Sequence, residues 1–341
     1  SNMKVAIIGL GFMGGMHAQI YTNLPGVDLV AIADLNVDGT RRKAVEMGLS
    51  AEVYPDLKTL LTQTDFDVID LCVPTDQHAG LAIMAAEAGK HLFIEKPLSL
   101  TLGDCRTIQK AVTKAGVFAQ VGQCIRFWPE YVALKQFIDS GKGGPLKSLS
   151  LRRCASRPTY SQEDWLNDET RSGGAATDLH VHDTDFLIHL LGMPKSVYSQ
   201  ATRGRSGLDH IFTSYRFEGL AVHAEGGWDY PDHYGFCMAF EAVFENACVA
   251  FNSASGEPLT LTLHDQEPVA MTVDQPGPKE STTGEGNISS LGGYFNELEY
   301  FINCLNANKA PEIATLAQAT NSIRVLIAEL ESARTGIPQS L

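Results

Sequence analysis

Residues 5–8, a run of Val, Ala, Ile and Ile, lead straight into Gly9-Leu10-Gly11-Phe12-Met13-Gly14, and a helical spacing of apolar residues follows over 13–24. Strand, glycine turn and helix in that order confine the chain to a β-α unit whose helix starts directly at the strand end. Gly9 serves the tight turn, Gly11 lets a phosphate approach the main chain, and Gly14 lets the helix pack closely. The first N–H groups of the helix, at Phe12 and Met13, then face an anion. The next apolar run, 29–33, ends at Asp34, 23 residues after Gly11. A carboxylate at that place holds a ribose 2′-hydroxyl. The combination predicts a dinucleotide site. NAD is preferred over NADP, because a 2′-phosphate would meet a like charge, although Arg41 and Arg42 follow closely enough to keep NADP open.

Apolar runs at 68–73, 92–94 and 117–121 alternate with segments of helical length at 77–88 and 102–115. Repeated alternation of this kind predicts an α/β fold, a parallel sheet covered on both faces. Ligands of such sheets gather outside the carboxyl ends of the strands. The polar breaks there are Pro74, Thr75, Asp76, Gln77 and His78; then Glu95, Lys96 and Pro97; then Gly122 and Gln123. Pro74, Thr75, His78, Glu95, Lys96 and Gln123 are therefore expected to border the cofactor.

Beyond about Cys124 the pattern changes to successive β-like stretches at 147–155, 197–203, 211–217, 221–228, 236–244, 247–251 and 259–263. They predict an open, mostly antiparallel sheet, with helices at 130–139, 177–191, 294–306 and 316–335 as cover for one face. The expected domains are a Rossmann domain over 3–124 and a second, α+β domain over 125–341 that supplies the other side of a cleft and the oligomer contacts. The segment 275–286, rich in Pro, Gly, Ser, Thr and Glu, reads as an exposed loop.

Composition narrows the partners. A formal charge of -14, from 40 acidic against 26 basic residues, repels a phosphate backbone and speaks against nucleic acid. No apolar run approaches the roughly 18 residues of a membrane span, and no secretory signal is visible, so a cytoplasmic protein is expected. Ser1 and Asn2 read as left by tag cleavage. Seven scattered cysteines without a C-x-x-C pair read as buried free thiols.

The segment 177–191 carries most of the remaining ionisable groups. On a wheel of 100° per residue, Asp178, His182, Asp185 and His189 form one stripe, so that Asp178 reaches His182. His180 and His182 make an H-x-H, but residues two apart on a helix point about 200° apart, so no metal is expected. His180 is instead expected to be a satisfied histidine near Asp183.

The phosphate loop, Asp34, Glu95-Lys96-Pro97, and Gly173-Gly174 followed by Asp178 and His182 together resemble the Gfo/Idh/MocA family of oxidoreductases, as do Tyr294, Glu297 and Phe301. The resemblance spans essentially the whole chain. It implies an N-terminal Rossmann domain, an open-sheet C-terminal domain, homo-oligomers (dimers or tetramers) built through that sheet, and sugar, polyol or related substrates. It also implies that Lys96 and His182 are catalytic, with Asp178 supporting His182. The residue types suit oxidation of a secondary alcohol: His182 accepts the proton, Asp178 fixes its tautomer, and Lys96, held partly by Glu95, stabilises developing alkoxide charge.

Arg126, Arg153, Arg157, Trp165, Trp228, Tyr230, His233 and Tyr294 lie in segments expected to border the cleft. Arginines suit an anionic sugar, and Trp165 and Tyr294 suit stacking on a sugar ring. The leading expectation is an NAD-dependent dehydrogenase or reductase acting on a sugar, polyol or sugar acid. Two others stay open: a glycosidase or lyase that retains NAD and oxidises transiently, and a nicotinamide-binding regulator without catalysis.

Overall fold

The structure, a computed structural model, describes residues 1–274 and 291–341. The loop expected over 275–286 lies outside the described residues. The chain forms two compact units, one of residues 1–124, 160–165 and 291–320, the other of residues 125–159, 166–274 and 321–341.

In the first unit the elements run β1 (Met3–Ile8), α1 (Phe12–Thr22), β2 (Val27–Ala33), α2 (Val37–Glu46), β3 (Glu52–Tyr54), α3 (Leu57–Gln63), β4 (Val68–Leu71), α4 (His78–Glu87), β5 (His91–Glu95), α5 (Leu102–Ala115) and β6 (Ala119–Gly122). All six strands are parallel, in the order β3-β2-β1-β4-β5-β6. Val5, Ile7, Val68, Ile69, Leu71, Leu92, Phe93 and Ile94 are fully buried, as central strands covered on both faces require. The alternation expected from sequence is present, but α2, β3 and α3 were not anticipated. β3 is a three-residue strand beside β2, and only Val53 of it is buried, so it carries almost no apolar signal. α2 is capped by Asn36, whose side chain accepts from the Gly39 N–H, and buries only Thr40 and Ala44.

In the second unit follow α6 (Pro129–Ser140), β7 (Leu146–Ser156), the short α7 (Glu169–Ser172), α8 (Val181–Leu191), β8 (Ser196–Gly204), β9 (Gly207–Phe217), β10 (Leu220–Tyr230), β11 (Phe236–Phe244), β12 (Ala247–Asn252), β13 (Thr260–Leu263) and β14 (Val269–Ala270). α9 (Gly292–Asn306) belongs to the first unit, although the sequence boundary had placed it in the second domain. It packs on α1, and its Glu297, Leu298 and Phe301 are fully buried. α10 (Leu316–Thr335) and β15 (Gln339–Ser340) complete the chain. The nine strands are ordered β14-β13-β12-β11-β7-β10-β9-β8-β15, and every pairing is antiparallel except β7 with β10. The open, mostly antiparallel sheet is thus as expected.

One helix departs from expectation. Ala176–His180 forms a π turn, and the α-helix begins only at Val181. Gly173 and Gly174, at φ 78° and 75°, turn the chain into it. A π turn closes on i+5, so the α-helical wheel does not describe residues 176–180. It does hold from Asp185 to His189, which both contact Arg126.

His180 lies near Asp183, whose charge reaches it, but its partner is Glu329 of α10, and its buried Nδ1 has no hydrogen-bond partner. Its Nε2 lies 2.7 Å from Glu329 Oε1, and Thr184 Oγ1 donates to Glu329 Oε2 at 2.7 Å. Asp183 instead receives Arg153 at 3.0 Å. Burial opposes the charge on both members of the first pair, yet Glu329 holds His180 above its ordinary range and His180 holds Glu329 below its own. All seven cysteines are free, Cys105, Cys124, Cys154 and Cys237 buried and the other three partly exposed. Among the described residues no helix is long and apolar enough to cross a membrane.

Removing one partner of a buried ion pair costs about 3–5 kcal/mol, so Glu329→Leu is expected to lose that much in denaturant unfolding. The raised His180 contributes fully below its unfolded value of about 6.5 and loses the contribution as pH rises through its folded value. The lowered Glu329 contributes above about 4.3 and loses it as pH falls through its folded value. The deficit should therefore be largest between about pH 4.3 and 6.5. A deficit that does not vary with pH would show that the pair is not ionic.

Candidate active site

The turn between β1 and α1 is held by close contacts that only glycine permits. Gly9 has φ 91°, and a Cβ there would overlap the Cys72 carbonyl oxygen at the end of β4. A Cβ on Gly14 would overlap the Gly9 carbonyl oxygen. At Gly11 the situation is opposite: nothing lies within 4 Å of the position a Cβ would take, and the residue is exposed. Gly11 is the N-cap of α1 with no side-chain capping bond, so no side chain caps the first N–H groups of the helix.

Asp34 closes β2 beside this loop. Its Oδ2 accepts from the Leu10 N–H at 2.9 Å and its Oδ1 from the Asn36 N–H at 3.1 Å, which aims the carboxylate without any side-chain partner of opposite charge at those atoms. Lys43 of α2, overlooked in the sequence, sends its ammonium to the Leu10 and Gly11 carbonyl oxygens at 2.9 and 3.2 Å. Arg41, by contrast, is exposed, 3.7 Å from Asp38. Phe12 packs on Tyr160 with ring centroids 5.4 Å apart, which ties the segment 160–165, including the half-buried Trp165, to the same unit.

At the ends of β4, β5 and β6 the expected residues divide. Thr75 Oγ1 and both amide atoms of Gln123 are buried without a hydrogen-bond partner, and Thr75 and Gln123 are only 3% and 1% exposed. Buried polar atoms are nearly always satisfied, so these groups wait for a ligand or water. Pro74 is half-buried before Thr75. His78, also expected at the cofactor, is already committed: its Nδ1 lies 3.2 Å from the Leu98 carbonyl and its Nε2 3.0 Å from that of Val73. It fastens the turn after β4 to the turn after β5. Burial pushes its pKa down despite those carbonyls.

Glu95 does not point at its neighbour's ammonium as expected. Its carboxylate turns inward, Oε1 3.1 Å from His17 Nε2 and Oε2 accepting the Lys96 main-chain N–H at 3.1 Å. Lys96 is half-buried, and the Lys96–Pro97 peptide is cis. Beneath Glu95 lies a charged cluster that the sequence reading missed. His17 Nδ1 is 2.7 Å from Asp70 Oδ2, which also accepts Tyr21 OH at 2.6 Å, and Cys72 Sγ lies 3.2 Å from Asp70 Oδ1. Burial works against a charged His17, yet Asp70 and Cys72 raise its pKa well above the ordinary value. Tyr294, expected to stack on a sugar, is 8% exposed, with burial first and then Cys124 and Glu95 raising its pKa.

In the second unit His182 is 9% exposed at the start of α8, and Asp178 is half-buried in the π turn. Arg126, expected to meet substrate, is consumed within the unit. Its Nε and Nη2 donate to the two Asp185 oxygens at 2.7 and 2.9 Å, Nη1 lies 3.2 Å from His189 Nδ1, and Ser322 Oγ donates to Asp185 at 2.6 Å. Burial, then Arg126, depresses His189 to about 4. This bidentate pair ties the start of α6, α8 and α10 together.

Comparison with known proteins agrees with this construction. Residues 3–123 match the oxidoreductase family with an NAD-binding Rossmann fold, and residues 131–249 match the GFO/IDH/MocA C-terminal domain. The scyllo-inositol 2-dehydrogenase (NAD(+)) of Bacillus subtilis is 28% identical over 99% of this chain and 96% of its own. The inositol 2-dehydrogenase of Salmonella paratyphi B is 33% identical over 65% of this chain and 70% of its own. A solved levoglucosan dehydrogenase, in complex with NADH and levoglucosan, superposes with a TM-score of 0.85 at 22% identity, covering 100% of this chain and 99% of that one. With a glycine turn that tolerates no side chain at Gly9 or Gly14, a carboxylate at Asp34 fixed by the Leu10 N–H, and matched domains along most of its length, the chain belongs to the Gfo/Idh/MocA family of NAD-binding oxidoreductases.

Proposed function

We propose that the protein is an NAD-dependent dehydrogenase that oxidises a secondary alcohol of a cyclic polyol or sugar, an inositol-like ring being the first class to test. The observation that carries this reading is the open cradle at Gly11 together with the orphaned Thr75 and Gln123 atoms at the same strand ends from which Lys96 follows. The names of the relatives, inositol and scyllo-inositol dehydrogenases, support the substrate class and favour net oxidation.

The residues present fit NAD. The Gly9–Gly14 loop with the Phe12 and Met13 N–H groups would hold the pyrophosphate, Asp34 a ribose hydroxyl, and Thr75 and Gln123 polar groups nearer the nicotinamide. NAD, when bound, supplies the hydride acceptor. Lys96 donates a hydrogen bond to the substrate oxygen and stabilises negative charge as it develops there. His182 takes the hydroxyl proton, and Asp178 favours the imidazolium so formed. Trp165 contributes an aromatic surface for the sugar, while Arg126 and His78 have structural work and are left out of the site. We further read the protein as cytoplasmic and as a homo-oligomer formed through the nine-stranded sheet, where Phe212 and Tyr198 on adjacent strands are 53% and 37% exposed.

Three outcomes check this reading. Gly11→Ala should fold with unchanged stability yet bind NADH at least about tenfold more weakly, because its Cβ enters only the cradle, whereas Gly14→Ala should lose both stability and binding. Titration calorimetry and thermal melts separate the two, and NADH binding to Gly11→Ala at wild-type strength would remove the cradle. With an inositol and sugar panel followed at the NADH absorbance, Lys96→Ala and His182→Ala should each lower kcat about 10²–10⁴-fold while retaining NADH. Turnover surviving both substitutions would sink the assignment of these residues.

A further inference from the structure

The cluster beneath Lys96 holds one group with no evident function. Glu297 of α9 is fully buried, and neither carboxyl oxygen has a hydrogen-bond partner. Ligand atoms of Glu297, Glu95 and His17 all lie within 4.8 Å of one another. The Glu95 carboxyl occupies the space that glycine leaves on β6: a Cβ at Gly122 would come within 2.8 Å of it. Tyr21, Asp70 and Cys72 close the far side of His17, Tyr294 lies on α9 itself, and Gln120 of β6 donates its amide to the Glu297 main-chain oxygen at 3.0 Å.

We propose that Glu297 stays protonated and shares that proton with the Glu95 carboxylate, and that it is thereby a positioning residue that keeps Glu95 turned inward and fixes the strand end carrying Lys96. Two carboxyl groups at this separation in a dry interior do not both ionise. The proton sits on Glu297 Oε and is donated to a Glu95 oxygen, leaving one negative charge opposite the His17 imidazolium. Burial, then the like charges of Glu95 and Asp70, drive the Glu297 carboxyl well above the usual carboxylate range against the pull of His17. An unpaired second anion would be costly, and a shared proton removes it without a metal or a solvent channel. With Glu95 held, its Oε2 keeps the Lys96 main-chain N–H at 3.1 Å. Without the Glu297 proton, Glu95 is free to turn outward onto the Lys96 ammonium. The consequence for turnover rests on Lys96 acting in catalysis as proposed above; the proton and the orientation of Glu95 do not.

The experiment reads both without substrate. Infrared spectra of the full-length protein at pH 8 should contain the C=O stretch of a protonated carboxylic acid that is missing from Glu297→Gln. No difference between the two spectra would overturn the proposal. Competitive acylation of the Lys96 amine, followed by mass spectrometry, should be unchanged in Glu297→Gln, whose amide still donates to Glu95. In Glu297→Leu it should slow about tenfold, the equivalent of one pKa unit, as Glu95 turns onto the ammonium. Wild-type labelling in Glu297→Leu would overturn the positioning role. Should Glu297→Leu not fold, the infrared comparison with Glu297→Gln still decides. If every polyol fails as substrate while the carboxylic-acid band and the labelling difference are present, the catalytic reading falls and the proton-sharing pair stands.

Discussion

The contact between Gly14 and the Gly9 carbonyl is the constraint on which the first unit depends. A single methyl group at Gly14 would overlap that oxygen, and one at Gly9 would overlap the Cys72 carbonyl, so helix, turn and β4 meet at backbone distance. That closeness sets the axis of α1. His17 falls one helical turn further on, 2.7 Å from Asp70 of β4 and 3.1 Å from Glu95 of β5. A looser turn would lift α1 from the sheet and separate those charges. The geometry that leaves Gly11 open on one side of the turn therefore assembles a buried ionic cluster on the other.

Such a cluster is poor economy as a source of stability, since hydrophobic residues of similar size often do as well as a buried ion pair. Its members are distributed over α1, β4, β5 and α9, with Gly122 of β6 leaving room for the Glu95 carboxyl. A displacement of any of these elements leaves a charge desolvated and unpaired. What the arrangement provides is definition: the end of β5, where the main chain becomes Lys96, is specified by polar contacts as well as by packing. The second unit follows the same rule in its own interior, where Arg126 with Asp185, Arg153 with Asp183 and His180 with Glu329 pin α8 between the helices and the sheet.

Much of this was legible in the sequence, and what was not has physical reasons. Periodicity found the main strands of both sheets because their buried faces carry branched and aromatic residues. β3 escaped because an edge strand three residues long buries only Val53. The Ala176–His180 turn escaped because nothing in composition separates a π turn from an α turn. Arg126 and His78 are polar residues near strand ends, and only coordinates show that Asp185 and two main-chain carbonyls have already claimed them. The buried cluster did leave a trace. Asp70 is a lone charge in Val68-Ile69-Asp70-Leu71, a strand otherwise fit for burial on both faces, and a charge in such a place requires a partner. That partner, His17, lies on the helix following the glycine loop.

Cofactor choice follows from how the charges around the loop are spent. Arg41 and Arg42 had kept a 2′-phosphate open, and α2 brings a third cation, Lys43, within reach of the turn. Its ammonium, however, is taken by the carbonyl oxygens of Leu10 and Gly11, so it stiffens the loop from behind. Arg41 stays exposed beside Asp38. The Asp34 carboxylate is held by two main-chain N–H groups, without a neutralising side chain at either oxygen. A 2′-phosphate would have to displace those bonds and face the carboxylate at close range, whereas a 2′-hydroxyl donates to it. The balance of these contacts favours NAD, and it does so through the same main-chain N–H of Leu10 that belongs to the glycine turn.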